Sequence, residues 1–332
     1  MTPNAFQPMD LGDIFANAWA LMKRTFSSSV LLSIIIIMLS FIIFGYGMQK
    51  YLTVMVDLSA SGMLASQDDP EIARQLMPKM MGGLVSVGFG SMIYTLALLF
   101  VQVLVTIASW EAMNGRIPGM GELLRRTLSR PFWITLLQTI ILGVVLAAIF
   151  FVLVIMAFII TGGNKELLAP LILLALIPFI YPVIATMFRV HQTTIEERGP
   201  WQGMIASIAL VKGSWWRTFG ILFLVWLAVG AISILLSVAV NGGSLPAFNA
   251  GMSPDADQAT QTAALTKQLA SYSWPSIIVN AISGSILFTF FFYILTPMYA
   301  DLRARRGDFL EYDDEEDGDP NADNPDTTLL TP

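Results

Sequence analysis

The 332-residue sequence contains no cysteine and a single histidine, His191. Without cysteine the chain can form no disulfide, thiolate nucleophile or cysteine-based metal site. One histidine does not make a metal centre, which requires several protein ligands, and we interpret His191 as a histidine at the membrane interface. We therefore expect no catalytic, cofactor-binding or metal-binding residues.

Charge is also scarce. Charged residues are 13% of the chain, against about 25% in a typical soluble domain, while hydrophobic residues are 55%. The formal net charge of −6 comes from the end of the chain, because residues 308–332 hold ten carboxylates and no lysine or arginine. Without these carboxylates the charge is +4, which suits contact with anionic phospholipids and gives no indication of a nucleic-acid partner.

Six apolar runs are long enough to cross a bilayer, which needs roughly 20 helical residues. We expect the first to remain in the protein, since acidic residues precede it and no signal-peptide cleavage site follows. The prediction is an all-α polytopic membrane domain over residues 1–310, followed by an acidic disordered cytoplasmic tail over residues 311–332. The predicted spans are Ser29–Met48, Gly83–Trp110, Phe132–Thr161, Leu168–Arg189, Phe219–Val240 and Ile277–Tyr299.

The distribution of basic residues predicts the orientation. With both termini in the cytoplasm, the inside segments carry 13 of the 18 lysines and arginines and the outside loops carry 5. Cytoplasmic loops of membrane proteins are enriched in these residues. We therefore predict a multi-pass plasma-membrane protein with cytoplasmic N- and C-termini.

The cytoplasmic segments resemble one another. Leu11–Phe26, Gly119–Trp133 and Trp201–Trp216 are each too short or too polar to span, and each has an apolar face, a basic end and an aromatic residue, as interfacial helices do. The connectors WEAMNGR, TIEERGP and ADLRARRGD each follow an even-numbered span with a carboxylate, an arginine and a glycine. This pattern predicts a pseudo-three-fold repeat of one interfacial helix and two transmembrane helices.

Lys212, Trp215, Trp216 and Arg217 are the candidate functional residues, and we call this set the knuckle. Tryptophan sets depth at the interface, while lysine and arginine attract phosphate head groups. We predict that the knuckle contacts phospholipid head groups. The alternative is that these residues are ordinary anchors of a cytoplasmic helix end.

Two other functions have weaker support in the sequence. The predicted spans contain no Asp, Glu, Lys or Arg between their ends, whereas ion-coupled transporters usually place ionisable groups there. A transporter or lipid-translocating protein would instead need a polar path through the helices, and Gln102, Gln138 and Asn280 are the candidates for it. The pair Glu196–Glu197 resembles the glutamate pair of the intramembrane CAAX-type proteases, but no histidine follows it. We interpret that pair as a solvated turn neutralising nearby arginines.

The segments ERGPWQGMIASIALVKGSWWRTFGILFL and YADLRARRGDF resemble the bacterial six-helix membrane family related to the membrane domain of glycerophosphoryl diester phosphodiesterase. The resemblance implies a six-helix fold and a bacterial inner-membrane location. It implies no reaction, since we expect the catalytic domain to be missing. The sequence thus predicts a non-enzymatic inner-membrane protein that interacts with phospholipids or supports a membrane protein partner.

Overall fold

The computed structural model describes residues 7–60, 70–162, 165–240 and 272–307, together with isolated positions between 260 and 269. The predicted tail, 311–332, lies outside these residues. All regular structure in the described part of the chain is helical, as predicted. The helices are α1 (Leu11–Arg24), α2 (Leu31–Ala60), α3 (Pro70–Met113), α4 (Met120–Thr127), α5 (Arg130–Thr161), α6 (Lys165–Ala185), α7 (Arg189–Thr194), α8 (Pro200–Val211), α9 (Trp215–Val240) and α10 (Trp274–Arg306), with a π-helical turn at Phe26–Val30 joining α1 to α2.

Among the residues that the structure describes, five segments are long and apolar enough to cross a membrane. These five segments agree with the prediction of a membrane-embedded protein. The predicted fourth span, Leu168–Arg189, falls on α6, which ends at Ala185 and is not among the five. The five are Phe26–Ala60, Met77–Met113, Arg130–Thr161, Trp215–Leu236 and Trp274–Arg306.

Helices α2 and α3 form a long hairpin that extends past the predicted spans. They contain 30 and 44 residues, or about 45 and 66 Å at 1.5 Å per residue. A Cβ atom on Gly47 would lie 2.5 Å from the carbonyl oxygen of Ser86, so the two backbones are in direct contact. Helix α3 begins at Pro70 and continues through Pro78, so the polar stretch before the predicted second span is helical as well and is continuous with that span.

The interfacial segments correspond to α1, α4 and α8. At helical spacing, Leu11, Phe15, Ala18 and Met22 share one apolar face of α1, which suits the lipid interface. The structure buries Ile14, Ala18, Leu21 and Met22 and leaves Leu11 exposed. The buried stripe lies to one side of that face because α1 packs mainly against α10, which the sequence of α1 alone does not reveal.

The best-packed part of the bundle is the end where the short helices gather around α10. Residues 291–302 of α10 are buried without interruption. Helix α5 is the opposite case, because only 6% of its most apolar 18-residue stretch is buried inside the bundle. The core therefore lies around the connectors rather than between all the long helices, and this arrangement positions the candidate sites.

Candidate functional site

The knuckle forms the tight turn between α8 and α9. Gly213 has φ +90°, a conformation that glycine adopts readily and other residues do not, and it reverses the chain after Lys212. The side chains of Lys212 and Trp216 are exposed, Trp216 by 77%. Trp215 instead stacks between Tyr181 and Phe219, with ring-centroid distances of 5.7 and 5.3 Å.

Arg217, the fourth knuckle residue, has partners within the protein. Its Nη2 lies 3.0 Å from Oδ2 of Asp301 and 2.6 Å from the carbonyl oxygen of Met9. The Arg217 side chain is 32% exposed, whereas that of Asp301 is 1% exposed. A guanidinium has five N–H donors, and these contacts use only Nε and Nη2, so Nη1 remains for a further acceptor.

Asp301 is the centre of a buried polar cluster that we call the Asp301 junction. Its Oδ1 accepts from the Met9 amide at 2.7 Å and from Arg305 Nε at 2.9 Å. Arg305 Nη2 also donates to the Met9 carbonyl at 3.1 Å. The junction joins the N-terminal segment, the start of α9 and the end of α10. Sequence reasoning missed it, although the spacing of Asp301 and Arg305 within ADLRARRGD indicates an i,i+4 ion pair.

The other connector carboxylates also bind arginines. Glu111 Oε1 lies 2.6 Å from Nη1 of Arg126. Glu196 accepts from the hydroxyl of Tyr299 and pairs with Arg198 at 2.7 Å and Arg303 at 3.5 Å. The connector pattern seen in the sequence is therefore a set of carboxylates that hold helix ends together.

The prediction that Glu196 and Glu197 form a neutralising solvated turn is partly wrong. Glu196 does pair with Arg198, but it is mostly buried and also binds α10. Arg189, the other expected partner, donates instead to the carbonyl of Thr186 at 3.3 Å and the hydroxyl of Thr139 at 3.1 Å.

His191 is buried rather than interfacial, which corrects our interpretation of the sequence. It is fully inaccessible to solvent, its ring stacks on Tyr299 with centroids 5.1 Å apart, and Nε2 lies 3.3 Å from the hydroxyl of Thr296. Burial lowers the pKa of His191 to about 3, so the ring is neutral at physiological pH. Over the described ranges, no three His, Asp or Glu side chains group as a metal site.

An apolar groove runs along the outside of α6 and α9, and we call it the α6–α9 groove. It consists of two cavities of about 590 and 570 Å³ that share Ile180 and Phe219. One cavity extends to Trp226 and Leu227, and the other reaches Trp215 and Trp216. The groove therefore ends at the knuckle, and Lys212 lies in the turn just before it.

The three candidate residues of a polar path are not linked to one another by hydrogen bonds in the described part of the chain. Gln138 is fully buried, and its Nε2 lies 2.9 Å from both the hydroxyl of Thr193 and the carbonyl of Pro200. Among the hydrogen bonds of the described residues, none links Gln138 to Gln102 or Asn280. Gln138 instead joins α5 to α7 and α8.

Residues 58–302 match the family model described as a domain of unknown function, DUF7847. The chain belongs to this family. The matched residues include the knuckle, all three connector carboxylates and the α6–α9 groove, whereas Met9 lies before them. No curated protein and no solved structure matches the chain.

Proposed function

We propose that this member of the DUF7847 family is a non-enzymatic integral protein of the bacterial inner membrane that holds a phospholipid in the α6–α9 groove. The continuity of the groove with the knuckle carries the proposal. The groove is apolar along its length, and at its end stand the exposed tryptophan Trp216 and, just before it, the exposed Lys212. A phospholipid has a matching arrangement, because its apolar acyl chains lie next to a charged phosphate group.

In this proposal, Lys212 and Arg217 attract the phosphate, and Trp215 and Trp216 set the depth of the head group. Arg217 also has a structural role through Asp301. Its replacement therefore tests two roles together, while replacement of Lys212 tests head-group binding alone.

The non-enzymatic part of the proposal is supported by what the candidate catalytic groups do. His191 is buried and neutral, Glu196 binds Arg198 and Arg303, and Asp301 binds Arg217 and Arg305. Each of these side chains makes a contact that holds helix ends together. The likeness to the membrane domain of glycerophosphoryl diester phosphodiesterase remains part of this proposal.

We also propose six spans with both termini in the cytoplasm. Met9 hydrogen-bonds to Asp301, so the chain enters and leaves the bundle at one end. This requires an even number of crossings, and the five apolar segments become six when α6 is added. Helix α6 has 21 residues, about 31 Å at 1.5 Å per residue. The arginines around the three connectors favour a cytoplasmic position for that end by the positive-inside rule.

We propose the pseudo-three-fold repeat from the order of the short and long helices and from the connector carboxylates. Each of the short helices α1, α4 and α8 is followed by two long helices, with α6 taken as a span. Each unit then ends in a carboxylate, Glu111, Glu196 or Asp301, that binds an arginine.

A role as a subunit beside a membrane protein partner is the second candidate function. Helix α5 supports it, since most of this 32-residue apolar helix is exposed on the outside of the bundle. A second polypeptide retained in fixed stoichiometry after gentle extraction would favour this role.

Native mass spectrometry of the full chain, released from nanodiscs of phosphatidylethanolamine and phosphatidylglycerol, tests the lipid proposal. Val183 lines the groove and is 45% exposed, so Val183→Phe places a bulky ring in it and is expected to weaken the retention of lipid at the groove. Val152→Phe is the matched control, because Val152 is 55% exposed on α5. Lys212→Ala is expected to weaken retention, with Arg24→Ala as its exposed basic control. If Val183→Phe and Lys212→Ala retain as much lipid as their controls, the proposal fails.

A further inference from the structure

A second, polar cavity lies away from the α6–α9 groove, between the start of α5 and the turn after α7. Its volume is about 200 Å³, below the roughly 300–1,000 Å³ of pockets for drug-sized ligands. Side chains from α4, α5, α7 and the connector TIEERGP line it, including Arg126, Arg130, Thr194 and Glu197. An occupant of this cavity is the size of a lipid head group or a small metabolite.

One side of the cavity is positive. Arg130 is exposed and, within the described part of the chain, pairs with no carboxylate. Arg126 adds a second guanidinium, although its Nη1 is also held by Glu111 at 2.6 Å. The first turn of α5 lies here too. Pro131 contributes no N–H to it, and Ser129 does not cap the remaining amides but donates to the carbonyl of Arg126 at 2.6 Å. Uncapped amides and arginines together favour an anion.

The other side is negative. Glu197 has φ +53° and is the one non-glycine residue with positive φ among those described, a conformation that costs energy for an L-amino acid. It lines the cavity and pairs with no lysine or arginine of the described residues. Its neighbour Glu196, by contrast, is bound by Arg198 and Arg303.

Arg130 and Glu197 therefore face a common space without closing on each other, since no nitrogen of Arg130 comes within 4.0 Å of a carboxylate oxygen of Glu197. The hydroxyl oxygen of Thr194 is buried in the same wall and has no hydrogen-bond partner in the protein. This oxygen is inaccessible to water, so the opposite charges of Arg130 and Glu197, rather than Thr194, are the features that indicate a ligand.

We propose that this cavity binds a phosphate ester carrying a primary ammonium group. The phosphate lies against Arg130, Arg126 and the first turn of α5, and the ammonium group donates to Glu197. Glu197 disfavours a simple anion, and the two arginines disfavour a simple cation. None of the lining residues is aromatic, so the cavity lacks the rings that recognise quaternary ammonium groups such as choline. The phosphoethanolamine group meets these requirements, either as a lipid head group or as a free compound.

Two measurements on the full chain distinguish these sources. In the lipid arm, native mass spectrometry compares the lipids retained from nanodiscs with equal parts of phosphatidylethanolamine, phosphatidylcholine and phosphatidylglycerol. In the soluble arm, phosphoethanolamine is titrated calorimetrically into the protein in phosphatidylcholine nanodiscs. Binding in the first arm alone identifies a head-group site, and binding in the second identifies a site for the free compound; either result supports the proposal.

The variants test the two charges separately. Arg130→Gln is expected to weaken binding at least about tenfold, because it removes a charged hydrogen-bond donor. Glu197→Gln is expected to abolish the preference for phosphatidylethanolamine over phosphatidylglycerol in the lipid arm, and to weaken phosphoethanolamine binding in the soluble arm. Glu197→Gly removes the carboxylate and also suits the positive φ, so it covers a failure of the glutamine variant to fold. Arg125→Gln is the control, since Arg125 is exposed on α4 and does not line the cavity.

The proposal is overturned by an absence of binding in both arms, or by binding that Arg130→Gln and both Glu197 variants leave unchanged. This site is independent of the groove proposed above. Val183→Phe fills the groove outside this cavity and is expected to leave phosphoethanolamine binding unaltered, so the two proposals can fail separately.

Discussion

The carboxylate of Asp301 binds the guanidinium of Arg217, with Oδ2 3.0 Å from Nη2, and joins the end of α10 to the start of α9. The same two side chains hold Met9, whose amide donates to Asp301 and whose carbonyl accepts from Arg217. Asp301 is 1% exposed, so its carboxylate is stabilised by these partners rather than by water. Three chain segments that are distant in sequence meet at this carboxylate.

We expect Asp301→Ala to destabilise the folded protein by on the order of 3 kcal/mol, the usual cost of breaking a buried charged network. Arg217→Ala is expected to cost less, because Asp301 keeps Arg305 and the Met9 amide, and because Arg217 is partly exposed to solvent. The double variant is expected to be less destabilised than the sum of the two, since the residues share one network. Thermal unfolding in detergent measures all three.

Arg306→Ala is the control for these variants, because Arg306 is exposed on the last turn of α10 outside the Asp301 junction. An Asp301→Ala protein no less stable than Arg306→Ala would contradict a structural role for the junction.

The sequence predicts the membrane class because long apolar runs have few alternatives to spanning helices. It does not predict where α2 and α3 end. Their polar ends remain helical because α2 and α3 pack against each other past the predicted spans, for example where Gly83 meets Tyr51. A hydropathy window detects contact with lipid and does not detect this packing.

The candidate sites were predictable only in part. The knuckle is continuous in sequence, so its basic and aromatic residues were visible, whereas the partner of Arg217 is 84 residues away. The polar cavity was not foreseen, because Arg130 and Glu197 look like ordinary interfacial charges until α7 and α5 are brought together. The sequence shows which residues are charged, but which residues pair with them depends on tertiary structure.

Packing between α2 and α3 provides a second prediction. Gly47→Ala is expected to destabilise the protein by about 1–3 kcal/mol, the usual cost of overpacking, because the new Cβ would lie 2.5 Å from the Ser86 carbonyl oxygen. Gly88→Ala is the control on α3, since a Cβ there meets nothing within 4 Å. Thermal unfolding in detergent compares the two, and equal stabilities would contradict direct backbone contact between the hairpin helices.

The position of α6 provides a third prediction. The native chain has no cysteine, so single-cysteine variants can be labelled without background. Cysteines at Asn114 and Lys212 are expected to react with an impermeant maleimide from the cytoplasmic side, and a cysteine at Thr161, the last residue of α5, from the opposite side. Labelling of Thr161→Cys and Lys212→Cys from the same side would mean that α6 does not cross the membrane.

Burial of His191 gives a fourth prediction, on pH. The pKa is about 3 in the folded protein and about 6.5 in an unfolded chain, so the unfolded state binds more protons between these values. Stability is therefore expected to be independent of His191 above pH 6.5 and to fall as the pH drops from 6.5 towards 3, by about 2 kcal/mol at pH 5. His191→Gln removes the titrating ring and is expected to flatten this part of the profile, even if the variant is less stable at pH 7. Thermal unfolding of both proteins between pH 7.5 and pH 4.5 measures the difference. Parallel profiles would mean that His191 is solvated in the folded state and that the α7–α10 interface is open to water.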